Sequence, residues 1–111
     1  MFRVKNKNIY MTENDFGVKL PIRFVLGDVL ETDIIKFIIY KEKEDDEKEI
    51  IIAKDFSAVD NEMKFVLTKE ESSLLEKDVY RYGIKQYRDN NLVDTVIVDR
   101  LFIIEEGIKE V

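Results

Sequence analysis

The stretch from Glu71 to Arg88, ESSLLEKDVYRYGIKQYR, constrains this chain more than any other. Its first half has the pattern of a helical turn. Its second half, from Val79, alternates: Tyr80, Tyr82 and Ile84 fall on one side, the period of a half-buried strand. Just upstream, Thr68 and Glu71 have the spacing of a capping box, with Thr68 as N-cap and Glu71 at the third helical position. The expected helix covers about two turns, offers Leu74 and Leu75 to a core, and ends at Lys77-Asp78. A chain that leaves a strand, makes a short helical crossing and enters another strand is changing sheets. The other segments are therefore expected to be strands packed around this one.

The remaining patterns fit that frame. Phe16, Val18, Leu20, Ile22 and Phe24 alternate with Gly17, Lys19, Pro21 and Arg23, which predicts a half-buried strand over Phe16 to Phe24. Pro21 is the only proline, cannot donate a ladder bond, and so predicts a sheet edge or a bulge. Asn8 to Met11 fits a short first strand, and Thr12 to Asp15 carries turn chemistry. Leu26-Gly27-Asp28 is an expected turn, with a loop from Val29 to Asp33. Ile34 to Tyr40 (IIKFIIY) is almost wholly apolar, which predicts a central strand covered on both faces.

Lys41 to Glu49 (KEKEDDEKE) is a charge run expected at a solvated hairpin tip. Ile50 to Ala53 returns from it, and Phe56 to Asp60 forms a bend. Met63, Phe65 and Leu67 alternate in a further strand. Asp89-Asn90-Asn91 predicts a hairpin turn, since Asn and Asp tolerate positive φ. A long last strand runs from Leu92 to Glu105. There Val96, Val98, Phe102 and Ile104 share a face that Arg100 interrupts, predicting a bulge near Asp99-Arg100. Gly107 to Val111 is expected to be a short tail. The sum is a single all-β domain over residues 1–111, with about seven antiparallel strands and one short helix. A β-sandwich is the expected form and an up-and-down barrel the alternative.

Composition narrows the chemistry. The chain has 111 residues, no cysteine and no histidine. Disulfides, thiolate nucleophiles and the usual neutral-pH general base are thereby removed. The formal charge of −6 disfavours phosphate backbones and anionic membranes, so no nucleic-acid or membrane partner is expected. The first residues, MFRVKNKNIYMTEND, lack the apolar core of a signal peptide.

Adjacent acids (Asp45-Asp46, Glu70-Glu71, Glu105-Glu106) lie in polar runs, without the burial or fixed gap that glycoside hydrolysis needs. Ser57, Ser72 and Ser73 have no histidine to activate them. Asp89, Asn90, Asn91 and Asp94 would supply oxygens to a cation, yet a turn explains them equally well. Tyr40, Tyr80, Tyr82 and Tyr87 would stack sugars or bases if exposed, and would fill a core if not. No enzyme activity, catalytic residue, metal site, cofactor or small-molecule ligand is expected.

Two resemblances meet at the opening stretch. Asp78-Val79-Tyr80-Arg81-Tyr82-Gly83-Ile84 resembles the D-x-x-x-Y-x-C corner of immunoglobulin-type domains. Tyr82 takes the place of the corner tyrosine and Ile84 that of the second cysteine. The resemblance implies that the Tyr82 hydroxyl bonds the chain just upstream. It also implies an apolar stand-in for the first cysteine, Ile22 or Phe24, with Phe37 as the core aromatic. Tyr82, Tyr80, Thr68 and Glu71 would then form a structural corner between the fifth and sixth strands of the sandwich, the E–F corner.

More broadly, the order of motifs is similar to small immunoglobulin-like domains of tailed phages and prophages, including the N-terminal domain of baseplate upper proteins. The pieces are Leu26-Gly27-Asp28, Ile34 to Tyr40, Ala53-Lys54-Asp55, Phe65 to Thr68, Glu71-Ser72 and Leu75. Tyr80 to Ile84, Asp94-Thr95-Val96-Ile97 and Phe102-Ile103-Ile104 complete the series. The chain departs from the pattern at Lys77-Asp78 and at Asp99-Arg100, where glycines are usual. The resemblance implies a non-enzymatic structural part of a virion tail or baseplate, made in the host cytoplasm without a signal peptide. Such a part would contact copies of itself or other tail and baseplate proteins. The alternative function is a carbohydrate- or host-surface-binding sandwich.

Overall fold

Most turns between strands among the described residues use the left-handed region, chiefly at asparagine and aspartate, and those turns set the strand boundaries. The computed structural model describes residues 3–24 and 28–106, with the backbone alone for Arg3 and residues 96–99. Eight strands follow in order: β1 (Arg3–Lys5), β2 (Asn8–Thr12), β3 (Leu20–Arg23), β4 (Ile34–Glu42), β5 (Lys48–Phe56), β6 (Glu62–Phe65), β7 (Asp78–Arg88) and β8 (Asn91–Glu105). A one-turn helix, α1 (Lys69–Ser72), lies between β6 and β7, and a 3-10 turn at Glu44–Asp46 joins β4 to β5.

Asn6 and Lys7 (φ 54° and 65°) close the β1–β2 hairpin, and Asp89 and Asn90 (φ 51° and 65°) close β7–β8. Both pairs have the two positive φ angles of the hairpin turn that matches strand twist. Asp60 and Asn61 (φ 52° and 60°) do the same between Val59 and Glu62.

The strands form a sandwich of two unequal sheets. The large sheet has the order β1-β2-β8-β7-β4-β5, and the small one is the pair β3-β6. This is the expected all-β sandwich with its short helix between β6 and β7. It has eight strands rather than seven, because β1 precedes the expected first strand. One pairing, β2 with β8, is parallel and the others are antiparallel.

The core lies between the sheets. Phe37 of β4 stacks on Phe65 of β6 at 4.2 Å and on Tyr82 of β7 at 5.1 Å. Phe102 of β8 meets Phe37, Phe65 and Tyr82 edge-on at 6.0–6.2 Å. These offset and edge contacts are the favourable arrangements for aromatic rings. Ile9, Met11, Ile35, Ile39, Met63, Leu67, Leu75 and Ile84 fill the space around them.

Three expectations are corrected. The strand predicted over Phe16 to Phe24 pairs only at Leu20–Arg23. Gly17 takes a left-handed φ of +74°, which no strand residue adopts, and Phe16 and Val18 are left half in solvent. β4 is central, between β5 and β7, but is not covered on both faces: Ile35, Phe37 and Ile39 are buried, Ile34 is exposed, and Lys36 and Ile38 are half-buried. The helix has one turn rather than two, so Leu75 is buried while Leu74 is exposed.

The bulge expected near Asp99-Arg100 is present. Tyr82 pairs with Arg100 and Ile84 with Ile97, so β8 carries an extra residue there. Two further shifts follow between Ile84 and Tyr87. Most of the Leu26-Gly27-Asp28 turn, the side chains of Val96 and Val98, and the tail at Gly107 to Val111 lie outside the described residues.

Candidate interaction surface

Of the four residues expected at the corner, Thr68 and Glu71 form the expected capping box at the start of α1, while Tyr80 and Tyr82 lie on β7 with other hydrogen-bond partners than expected. Thr68 Oγ1 accepts from the Glu71 backbone N–H at 3.1 Å, and Glu71 Oε1 accepts from the Thr68 N–H at 2.9 Å. The same Glu71 oxygen takes a 2.8 Å bond from Lys54 Nζ, which also donates to the Val66 carbonyl at 2.8 Å. Burial raises the Glu71 carboxyl, but the Lys54 ammonium and the Thr68 donors outweigh it and hold the group below its usual value. The corner is thus tied to β5 through one lysine.

Tyr80 O–H donates to the Glu76 carbonyl at 3.2 Å. That is the bond to the chain just upstream that the resemblance assigned to Tyr82. Tyr82 O–H instead donates to the Lys7 carbonyl, in the β1–β2 turn. Counted from Tyr80 as the corner tyrosine, Tyr82 itself falls at the place of the second cysteine. Its ring stacks on Phe37 of the neighbouring strand β4. Loss of water around the Tyr82 hydroxyl pushes it up to about 12, with the Arg100 charge opposing.

A buried polar cluster that the sequence reading missed holds the other end of β7. Asp33 is 1% exposed. It accepts from Arg88 Nε and Nη2, both at 2.9 Å, from Gln86 Nε2 at 2.8 Å and from the Leu30 N–H at 2.9 Å. Arg88 and Gln86 also donate to the Asp28 carbonyl at 3.3 Å. The Arg88 bonds, with help from Leu30 and Gln86, hold Asp33 well below the usual carboxylate range. The signal was available in part: β7 keeps alternation through Gln86, an inward polar position that demands partners. Nothing in the sequence pointed to Asp33 as one of them.

Asp45 and Asp46 sit exposed on the β4–β5 tip, and Glu70 is exposed on α1. Ser57 and Ser73 are exposed, and Ser73 Oγ donates to the Glu70 carbonyl. Asp89, Asn90 and Asn91 make the β7–β8 turn, with Asn91 Nδ2 on the Asp89 carbonyl at 3.2 Å. Among the described residues no group of acids is placed to hold a metal ion. Tyr80 and Tyr82 are in the core at 5% and 2% exposed, while Tyr40, at 6%, is covered outside the core cluster, with Lys48 Nζ 5.0 Å from its ring centre. Tyr87 is half-buried, with Lys36 Nζ 5.7 Å from its ring centre.

The surface offers sheet edges instead. A cleft of about 250 Å³ opens between the β1–β2 hairpin and β3, lined by Val4, Ile9, Leu20, Ile22 and Tyr82 with Lys7 at its rim. The β3 edge beside it is blunted. The Phe24 N–H donates to Asn61, so by alternation Ile22 and Leu20 also face β6, while Pro21, which has no donor, faces the open side.

The β6 edge is occupied by the Val59–Glu62 bridge and by Lys54 on the Val66 carbonyl. β1 is three residues long. β5 differs: it runs nine residues, pairs with β4 alone, and carries Ile50 at 60% exposure. No family model, no curated protein and no solved structure matches the chain.

Proposed function

We propose that this domain is a non-enzymatic structural module of a phage or prophage particle, a tail or baseplate component that acts through protein–protein contacts. The order of motifs from Leu20 to Ile104, similar to the immunoglobulin-like domains of tailed phages, supports the reading. The observation that carries it is the fate of the tyrosine strand. Tyr80 and Tyr82 are consumed by the core, and what the molecule presents is an uncovered sheet edge. A rigid sandwich with an open edge suits docking by strand addition or side-chain packing.

Its partners are copies of itself or neighbouring tail and baseplate proteins, and its place is the virion after cytoplasmic synthesis. The acidic charge keeps copies apart until a complementary surface is met. Sugar-ring stacking has less support, since the best-placed rings are covered.

The gene neighbourhood tests the reading. Adjacent genes for tail, baseplate or lysis proteins, and co-purification of the domain with one of their products, are the expected result. A setting among metabolic genes, with no bound virion protein, would overturn it.

A further inference from the structure

We propose that β5 pairs antiparallel with β5 of a second copy across a two-fold axis, joining two large sheets into one. The sequence Lys48-Glu49-Ile50-Ile51-Ile52-Ala53-Lys54-Asp55 is complementary to itself when reversed. In one register Lys48 lies opposite Asp55 of the second copy, Glu49 opposite Lys54, Ile50 opposite Ala53, and Ile51 opposite Ile52. Every charge then meets its opposite, and apolar residues meet at the centre. Slipping by one residue either way sets Lys48 against Lys54 or Glu49 against Asp55, which is destabilising.

That register requires residues whose numbers sum to 103 to share a face, and an unbroken strand forbids it, because odd and even positions point oppositely. The bulge in β5 removes the conflict. Tyr40 pairs with Ile50 and Ile39 with Ile52, leaving Ile51 as the extra residue. Beyond it the parity inverts. Lys48 and Ile50 thus share the outer face with Ala53 and Asp55, while Glu49 shares the inner face with Ile52 and Lys54.

The structure agrees for four of them. Ile50 is 60% exposed and Ile52 5%, Asp55 meets Lys36 at 3.8 Å on the outer face, and Lys54 reaches inward to Glu71. A bulge in an edge strand ordinarily discourages pairing. Here it is the feature that brings complementary charges to the same side, and pairing would cover Ile50 with the Ala53 of the other copy.

The inference rests on the reading above for its biological setting and narrows its self-association to one edge. The test uses the intact chain, which contains no cysteine of its own. Sedimentation across concentration should show a dimer. An Ile50→Cys/Ala53→Cys double variant should give a covalent dimer on mild oxidation, since directly opposed strand residues lie within disulfide reach. Lys48→Asp should weaken the dimer at least tenfold, and adding Asp55→Lys should restore it, with unchanged circular dichroism showing that each variant folds.

A monomer at every soluble concentration, or a dimer insensitive to both charge reversals and not captured by the cysteines, overturns the edge pairing. So does a β5 edge that binds only a strand of another protein. Those outcomes leave the virion reading standing. A β5 dimer from a gene set among metabolic genes would do the reverse.

Discussion

Asp33 and Arg88 meet in a two-pronged ion pair, with Nε and Nη2 of the arginine each 2.9 Å from a carboxylate oxygen. The pair joins the loop before β4 to the last residue of β7. Asp33 is fully buried there, while Arg88 keeps part of its side chain in solvent. A carboxylate in that position is tolerated because both oxygens accept, Oδ1 from Arg88 and Oδ2 from Arg88, Gln86 and the Leu30 N–H.

The ion pair should contribute to the acid limit of the fold, beside Glu71 and Asp78, which are also held below their usual values. The folded Asp33 carboxyl is held below its ordinary value, first by the Arg88 bonds. A group depressed on folding contributes stability that is complete above its unfolded value, near 3.8, and lost as the pH falls below it. Urea midpoints measured from pH 6 down to pH 2 should therefore drop steeply under pH 4. Asp33→Asn should lower the midpoint at pH 6 and flatten that part of the profile. A parallel profile for the variant would show that other carboxylates govern acid unfolding.

At the alkaline end the controlling group is Tyr82. Its hydroxyl is pushed up from 10.0 to about 12 by burial. The neutral phenol is the folded form, so stability is complete below pH 10 and is lost as pH rises toward 12. The total is on the order of 3 kcal/mol for one such shift. Tyr82→Phe should cost about 1 kcal/mol at neutral pH, the scale of the hydrogen bond to Lys7. It should also reduce the alkaline slope, to which Tyr80, likewise raised by burial, still contributes. Amide exchange in the β1–β2 hairpin should quicken in the variant, because the lost bond anchors that turn.

Much of this arrangement was legible in the residues, and the failures have physical causes. Alternation located β6, β7 and β8, because a half-buried strand must alternate, and an apolar run located β4. The capping box at Thr68 and Glu71 was legible because it is local. Loss of the Phe16–Val18 segment from β3 was not, since Gly17 reads as an ordinary outward strand position until its φ is known. The β1–β2 hairpin escaped because its turn is Asn6-Lys7, and lysine gives no turn signal. The exchange of roles between Tyr80 and Tyr82 depends on which carbonyl each hydroxyl meets, and Lys7 is 75 residues away from Tyr82 in sequence. The Asp33–Arg88 pair is equally non-local, at 55 residues.

The two leucines after α1 separate packing from pattern. Leu75 is 1% exposed and Leu74 57%. Leu75→Ala should cost roughly 2–5 kcal/mol, the range for a buried leucine. Leu74→Ala should stay within about 0.5 kcal/mol, as exposed sites usually do. Chemical denaturation of both variants decides the matter. Equal losses would mean that the helical crossing runs longer than one turn and buries both side chains.

Lys7 carries a cost that the sequence conceals. A non-glycine residue at φ 65° pays for the close approach of its Cβ to the backbone, roughly 1 kcal/mol where no local side-chain bond compensates. The conformation persists because the β1–β2 ladder fixes the turn and Tyr82 holds the Lys7 carbonyl. Lys7→Gly removes the steric cost and leaves the carbonyl in place, though glycine loses more chain entropy on folding. The steric relief is the larger effect at a left-handed position, so the substitution should raise the urea midpoint by the equivalent of about 0.5 kcal/mol. In a Tyr82→Phe background the gain should be no smaller, because glycine holds the turn without the hydroxyl. A clear loss of stability for Lys7→Gly would mean that the lysine side chain supports the hairpin more than its backbone strains it.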